Sequence, residues 1–417
     1  VFPLRLLALN LTRRCNLSCA HCYLDAETRP HAARGELTTA EVCDLLDDAA
    51  VCGDGIMVVL TGGEPLLRRD LEEIVEHGSG LGMAMVVGSN GTMLTARRVS
   101  SLQGAGLLGA GISVDSLDPV KHDRFRGKPG SWLSTMTGIE ECRRQGLSFQ
   151  LHFSVTDTNV DEMPAMIDFA AESGARVLNV FFLVCTGRGS RFTDLSAGRY
   201  ESVLADLVDA QSEYPGLIIR PRCAPQFKRV ALQRRPDAPI NRISGRDSDG
   251  CIAGTHYCRV TPVGAVTACP YLDDEAGNIR SESFADIWKT SPLFARLRHD
   301  QLGGACGSCE FRKLCGGCRA RAVTAGADLM DEDPFCAYRP SGGAVIEPLD
   351  DVATSGLRWT REAETRISKV PGFIRQMVRK RAEAYVLELG EEAVTTVHLD
   401  ALTARRFGGA VPRRPGS

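Results

Sequence analysis

Cys15, Cys19 and Cys22 stand three and then two residues apart in the run CNLSCAHCY. Three thiolates on so short a loop can hold three irons of a four-iron cluster and leave the fourth open. An iron with an open position can take up a small molecule, which a closed structural site cannot do. The competing reading of this spacing alone is a three-cysteine zinc site completed by His21 or His31. A second group follows more than two hundred residues later: Cys251, Cys258, Cys269, Cys306, Cys309, Cys315, Cys318 and Cys336. All-sulfur ligand sets select zinc or iron–sulfur clusters over calcium or magnesium, and a paired zinc ribbon is the alternative for this block. Together the groups take eleven of the sixteen cysteines. A disulfide framework belongs to short, loop-rich secreted domains, so metal is the better reading.

Such loops need elements to position them. From residue 1 to about 222 the chain alternates β-rich runs with helical periods. Strands are expected at 6–11, 56–60, 84–87, 111–114, 148–155 and 177–184, and helices at 39–51, 70–77, 138–145 and 163–173. Thr39 with Glu41 and Asp161 with Pro164 read as helix starts, Gly146 and Gly174 as stops. Six strand–helix units predict an α/β fold, a partial (β/α)6 TIM-like barrel with a parallel sheet. Chemistry then gathers at the C-terminal strand ends, where the first cysteine group, GGEP and SNGT all fall. A connector (223–249) leads to a Gly- and Cys-rich segment (250–340) with little room for a core, which metal would help to fold. A linker (341–356), a basic helical unit (357–407) broken at Pro371 and a disordered tail (408–417) follow.

Composition narrows the class. The chain has 417 residues, 43% hydrophobic and 24% charged, which suggests two or three globular domains. A net charge of −3 offers no bulk attraction for nucleic acid. No apolar run reaches the roughly 18 residues that span a bilayer. The opening VFPLRLLALNLTRRC lacks a cleavage site and reads as a first strand, so a cytoplasmic protein is expected. The chain opens on Val1 rather than Met, which leaves room for residues ahead of it.

The CNLSCAHCY run resembles the signature of the radical S-adenosylmethionine (SAM) superfamily, three cysteines at this spacing followed by an aromatic, here Tyr23. The likeness continues through about the first 220 residues. LTGGEPLL at 60–67 matches the turn, Gly62, Gly63, Glu64 and Pro65, that holds the methionyl amino group in relatives. Its glycines permit close backbone approach, and Glu64 offers a carboxylate to an ammonium. Ser89 and Asn90, then Ser113 and Asp115, match positions that contact the SAM carboxylate or ribose. The resemblance implies an iron that chelates SAM, one-electron cleavage of its sulfonium and a 5′-deoxyadenosyl radical that abstracts hydrogen. The cofactor supplies that chemistry, so no side-chain acid or base is required. An external electron donor of the flavodoxin or ferredoxin kind is implied as well.

The second block, with Gly264, RVTPVGAVTACPY, IRSESFADIW and CGSCEFRKLCGGC, resembles the SPASM extension of these enzymes, which holds auxiliary four-iron clusters. The resemblance implies one or two: Cys306, Cys309, Cys315 and Cys336 could close one, and Cys251, Cys258, Cys269 and Cys318 another. Two departures stand out. CGGC has two residues between cysteines where the family has three, and Cys258 is an extra thiol in a strand-like run, equally readable as ligand or core. Of the remaining cysteines, Cys43, Cys52 and Cys142 read as helix thiols. Cys185 and Cys223 fall near the expected barrel mouth, where packing is the first reading and a cluster or substrate role the second.

Three features bear on substrate. CGGCRARA with GADLMDEDPFC, and FFLVCTGRG, look like the branch that modifies tetrapyrroles for haem or nitrite-reductase haem. The run WTREAETRISKVPGFIRQMVRKRAEAYVLELGEEAVTTVHL resembles the small helical domain of light-independent protochlorophyllide reductase. The implied substrate is a porphyrin carrying carboxylate side chains, lost by oxidative decarboxylation or side-chain removal. Guanidinium groups suit such carboxylates, and Arg188, Arg191, Arg222 and Arg229 are the candidates. Peptide maturases of the crosslinking or sulfatase type, and maturases of another metal cofactor, share the two-part architecture. The former commonly carry an N-terminal recognition domain, and this chain begins at its first strand.

Overall fold

The computed structural model describes residues 2–28, 34–191, 195–238, 241, 250–347, 357–368, 370 and 372–407. His31, Pro371, connector residues 239–240 and 242–249, linker residues 348–356 and the tail 408–417 lie outside them.

The six expected strands form β1 (Leu6–Thr12), β2 (Met57–Gly62), β3 (Ala84–Ser89), β4 (Gly109–Ser113), β5 (Phe149–Val155) and β6 (Val177–Phe182). They pair in parallel and in chain order. The helices between them are α1 (Thr39–Ala50), α2 (Leu71–Gly80), α3 (Ala96–Gly104), α4 (Pro119–Arg126), α5 (Ser131–Arg144) and α6 (Met163–Glu172). Helix α1 is capped one residue earlier than its sequence signal suggests. Thr38, not Thr39, caps it, in a box where the Glu41 N–H donates to Thr38 Oγ1 (3.2 Å) and Glu41 accepts from the Thr38 N–H (2.8 Å). Asp161 sits in a short 3-10 turn ahead of α6.

The sheet exceeds the expectation at both ends. After α7 (Ala197–Glu213), β7 (Ile218–Arg222) adds a parallel strand to β6. Its sequence IIRPR is too short and too polar for periodicity to show, and its proline is tolerated at a sheet edge. Helix α8 (Phe227–Arg234) follows. On the other flank β8 (Tyr257–Val260) pairs in parallel with β1, Leu6 opposite Tyr257, and carries β9 (Ala265–Thr267) and β10 (Glu275–Asn278) antiparallel. The order is β10-β9-β8-β1-β2-β3-β4-β5-β6-β7, eight parallel strands in a row with two antiparallel ones at one edge.

This pairing corrects the expectation that the whole segment 250–340 is poor in core. Helices α9 (Phe284–Thr290) and α10 (Pro292–His299) bury Phe284, Ile287, Trp288, Phe294 and Leu297 in the same apolar cluster as the barrel. The stretch bearing α11 (Gly304–Ser308), which buries none of its residues, comes nearest the expectation, whereas α12 (Arg319–Thr324) buries Ala320 in that same cluster. The C-terminal unit has its own small core, Ala363, Ala382, Val386, Val394 and Leu399. It combines α13 (Arg361–Ser368), α14 (Gly372–Glu388) and α15 (Thr396–Phe407) with a parallel pair, β11 (Arg358–Trp359) and β12 (Ala393–Val394).

Candidate functional site

The loop after β1 bends back on itself: the Cys15 N–H donates to Glu27 O and the Glu27 N–H to Arg13 O. Ser18 and Ala20 donate to carbonyls of Arg126 and Phe125 at the end of α4, and His21 stacks on Phe125 at 4.5 Å. Cys15, Cys19 and Cys22 thereby share one small buried cluster with Leu17 and Ala26. Each sulfur meets a donor: Leu17 N–H on Cys15 and Ala26 N–H on Cys22, both at 3.4 Å, and Arg126 Nη1 on Cys19 at 3.7 Å. Burial pushes the Cys15 thiol up to about 12, against the Leu17 N–H, and raises Cys19 against the Arg126 charge. Buried thiols of this kind are held as thiolates when a metal supplies the missing positive charge. Arg126 in turn forms a buried ion pair with Asp115 at the end of β4. Burial alone would raise Asp115, and Arg126 with His21 and His122 brings it below its ordinary value.

The GGEP turn grips this loop. The Gly63 N–H donates to Thr12 O and the Glu64 N–H to Arg14 O. A Cβ on Gly63 would lie 2.1 Å from Arg14 O, so the close approach both glycines permit is to the cysteine loop's own backbone. Glu64 is held by its own chain. Its oxygens accept from the Ser89 hydroxyl (2.9 and 3.0 Å), the Asn90 N–H (2.9 Å) and the Leu66 N–H (3.1 Å). Burial raises it to about 7, against those hydrogen bonds. It ties the end of β2 to the end of β3. Asn90 donates to Asn16 Oδ1 (2.8 Å) with Cys15 Sγ at 4.0 Å and accepts from Thr92, so it braces the loop rather than facing outward. Asp115 is likewise committed to Arg126, and Ser154 N–H donates to it at 2.9 Å. Ser113, half-buried beside it, ends β4. Tyr23 accepts from Asn10 Nδ2 (3.0 Å) and sits edge-on to Tyr271 at 5.6 Å. Asn10 Oδ1 and His21 Nδ1 are buried without a hydrogen-bond partner in the protein, two polar atoms facing chemistry the chain itself does not supply.

The four arginines part company. Arg188, from a short turn over Gly187–Arg191, donates to Cys19 O (2.9 Å) and Ala26 O (3.0 Å). It is a clasp on the cysteine loop. Arg191 ends that turn. Arg222 donates from Nε to Asn179 Oδ1 (2.8 Å), and Asn179 donates to Gln150 Oε1 (2.5 Å), a polar row across β7, β6 and β5. Gln150 shares its strand face with His152 and Ser154, and Ser154 lies 3.4 Å from His21. This row faces the first cysteine group. Burial, then the Arg222 and Arg126 charges, lowers His152 to about 3, so it is neutral at ordinary pH. Arg229 is nowhere near it: it is buried on α8, paired with Glu201 and 4.9 Å from the Tyr338 ring.

Arg229 instead lines a cavity with Cys306, Cys309, Cys315 and Cys336. Phe311 and Gly317 N–H groups meet Cys309 and Cys315 sulfurs at 3.4 Å. Gly316 and Gly317 both take positive φ, and a Cβ on Gly317 would lie 2.9 Å from Cys306 Sγ. The shortened CGGC is therefore a tight reversal that sends Cys315 into this cavity and Cys318 away from it. Cys318 lies instead among Cys223, Cys251 and Cys269, which bear on one another electrostatically. Cys258 is the exception in the second group. It is wholly buried on β8 beside Cys52 and Arg298, and Tyr257, its neighbour on the opposite strand face, is the residue near Cys269 and Tyr23. Among the described residues no three His, Cys, Asp or Glu side chains converge on a single ion. A lone zinc would need its sulfurs roughly 3.8 Å apart, whereas a cluster binds each on a different iron.

Sequence reasoning missed Arg126, Asn16, Asn10 and Gln226, the last lining the Cys306 cavity with an unpaired Oε1. No spacing signal marks Arg126, which meets Cys19 from 107 residues away.

Three family profiles match the chain: the radical SAM superfamily over 9–170, the iron–sulfur cluster-binding (SPASM) domain over 251–310, and the proto-chlorophyllide reductase 57 kD subunit over 359–402. An AdoMet-dependent heme synthase of Methanosarcina barkeri is 40% identical over 81% of this chain and 97% of its own length. One of Oleidesulfovibrio alaskensis is 35% identical over 81% and 88%. The crystal structure of Streptococcus suis SuiB bound to S-adenosylmethionine shares the fold, with a TM-score of 0.64 at 17% identity over 81% of this chain and 78% of that one.

Proposed function

The chain belongs to the radical SAM superfamily, in its SPASM-containing division, and from that premise we propose that it modifies carboxylate side chains of a haem-precursor tetrapyrrole. The observation that carries this reading is the 40% identity, over 81% of this chain and nearly all of the relative, to an AdoMet-dependent heme synthase. Oxidative decarboxylation of a propionate is the favoured reaction, side-chain removal its variant.

The residues present fit an iron–sulfur cluster on Cys15, Cys19 and Cys22: one buried and two half-buried thiols, N–H donors on two of them, and unpaired polar atoms on Asn10 and His21. When bound, that cluster and SAM supply one-electron cleavage and a hydrogen-abstracting carbon radical. The chain's own part is placement. Arg126 and Asp115 fix Cys19, Arg188 clasps Cys19 and Ala26, and Glu64 locks the ends of β2 and β3 beneath them. Arg222, held by Asn179, is the substrate-carboxylate candidate, and neutral His152 beside it adds a hydrogen-bonding group without a second charge. Arg188 and Arg229 leave the substrate list, and both join the cluster sites. Barrel (1–222), auxiliary-cluster region (250–340) and helical unit (357–407) are the proposed working parts, with a flavodoxin or ferredoxin as electron donor. No described helix is long and apolar enough to cross a membrane, and all sixteen cysteines are free, as a reducing cytoplasm would keep them.

Anaerobic turnover with SAM, dithionite and iron-coproporphyrin tests the reading, with deoxyadenosine and porphyrin mass followed together. Deoxyadenosine coupled to loss of carbon dioxide from the porphyrin is expected. Deoxyadenosine with every offered tetrapyrrole unchanged would remove the substrate class.

A further inference from the structure

We propose that Cys223, which lies outside the linear SPASM cysteine pattern, is the fourth thiolate of the second auxiliary iron–sulfur site, with Cys251, Cys269 and Cys318, and that Cys258 is a core thiol. The proposal rests on the reading that this region carries auxiliary clusters, and it names the ligand the linear pattern lacks.

Three chain segments converge on Cys223. Its carbonyl accepts from the Tyr200 hydroxyl (2.9 Å) and from Arg321 Nη1. Arg321, itself buried, stands three residues past Cys318 and also donates to Phe182 O and Leu183 O, both at 3.1 Å. One guanidinium thus fixes the end of β6, the residue after β7 and the first turn beyond Cys318. From the other side Tyr271, two residues past Cys269, hydrogen-bonds the Cys223 thiol. Cys223, Cys251, Cys269 and Tyr271 are each partly buried against the main core. Cys223 also holds a left-handed backbone, φ +57°, one of only two described non-glycine residues with positive φ. That conformation costs about 1 kcal/mol or more, and it turns the chain sharply at the end of β7.

Cys258 cannot replace it. Strand neighbours point to opposite faces, and Tyr257 occupies the face toward Cys269. Cys258 is directed to Cys52 at the end of α1, in register with Leu7. Bringing it across would take a one-residue slip of β8 against β1, which would expose every buried side chain of that strand. The site is therefore built from both parts of the protein: three thiols from the auxiliary region and one from the residue just after the barrel's last strand.

The test uses the full chain, reconstituted anaerobically with iron and sulfide, and reads iron content, Mössbauer and EPR spectra, none of which depends on turnover. Cys223→Ser is expected to match Cys251→Ser: about four fewer irons per chain, or conversion of one cluster to a three-iron form. Cys258→Ser is expected to keep the wild-type iron content and spectra. Circular dichroism checks folding, and Cys223→Asp, which retains an anionic ligand, is expected to keep the irons with an altered EPR signal. Full iron content and unchanged spectra in Cys223→Ser, or a lost cluster in Cys258→Ser, would overturn the ligand assignment. Wild-type protein that takes up only about four irons would instead overturn the auxiliary-cluster reading beneath it.

Discussion

At the scale of single residues the site depends on a charge that the cysteine spacing does not announce. Arg126 and Asp115 are both almost completely buried, and Arg126 brings a full positive charge to the Cys19 sulfur. Asp115→Asn leaves that guanidinium unpaired, so urea unfolding of the iron-free protein should show a loss of about 3–5 kcal/mol. A change under about 1 kcal/mol would mean that the pair is not desolvated as described. His152 gives the pH dependence. Its folded value, near 3, lies below the unfolded value of 6.5, because of burial first and then Arg222. Between those values the unfolded chain binds the extra proton, so stability falls as pH falls through the window. His152→Gln removes this dependence, and its urea midpoint should fall less steeply than wild type from pH 6.5 to 4. Parallel slopes would place His152 in water. The cysteine types and spacing were readable in sequence because ligand chemistry is local, whereas Arg126, Arg188 and Cys223 act across the fold and leave no linear trace.

At the scale of elements the auxiliary region is two different things. Strand β8 hydrogen-bonds to β1, and α9 and α10 bury Trp288 and Phe294 in the barrel's own core. From Cys318 onward Ala320, Leu329 and Met330 join that core, whereas residues 304–316 have their cysteines with Phe311 and Leu314 as their buried apolar side chains. In iron-free protein, amides of 257–260 and 284–299 should stay protected from hydrogen exchange while those of 304–316 exchange far faster. Uniform protection across both would show that metal is not needed to order the second stretch. The six barrel strands were legible because long apolar runs alternate with helical periods. Strand β7 was not, because five residues with a proline and two arginines carry no periodic signal, and β8 reads as a strand without revealing that its partner is β1.

At the scale of the whole molecule the C-terminal unit is held by its own core and its own ion pairs, Arg379 with Glu364 and stacked 4.3 Å from Trp359. A chain ending at residue 347 should therefore keep its iron content and melting behaviour, with SAM cleavage retained and porphyrin affinity reduced. Loss of SAM cleavage in the folded truncation would show that the unit completes the SAM site. By itself the sequence determined the chemistry class: thiolates in a short loop, glycines at a turn and a parallel α/β alternation are encoded within a few residues of each other, so spacing reveals them. Only the tertiary structure decided which charge meets which sulfur, that Glu64 braces β2 on β3, that one arginine of the candidates faces the polar row while two hold cluster sites, and that Cys223 rather than Cys258 stands among the auxiliary thiols. Those are contacts between distant segments, set by strand register and by which face of a strand a side chain occupies, and a one-residue shift would reverse each of them.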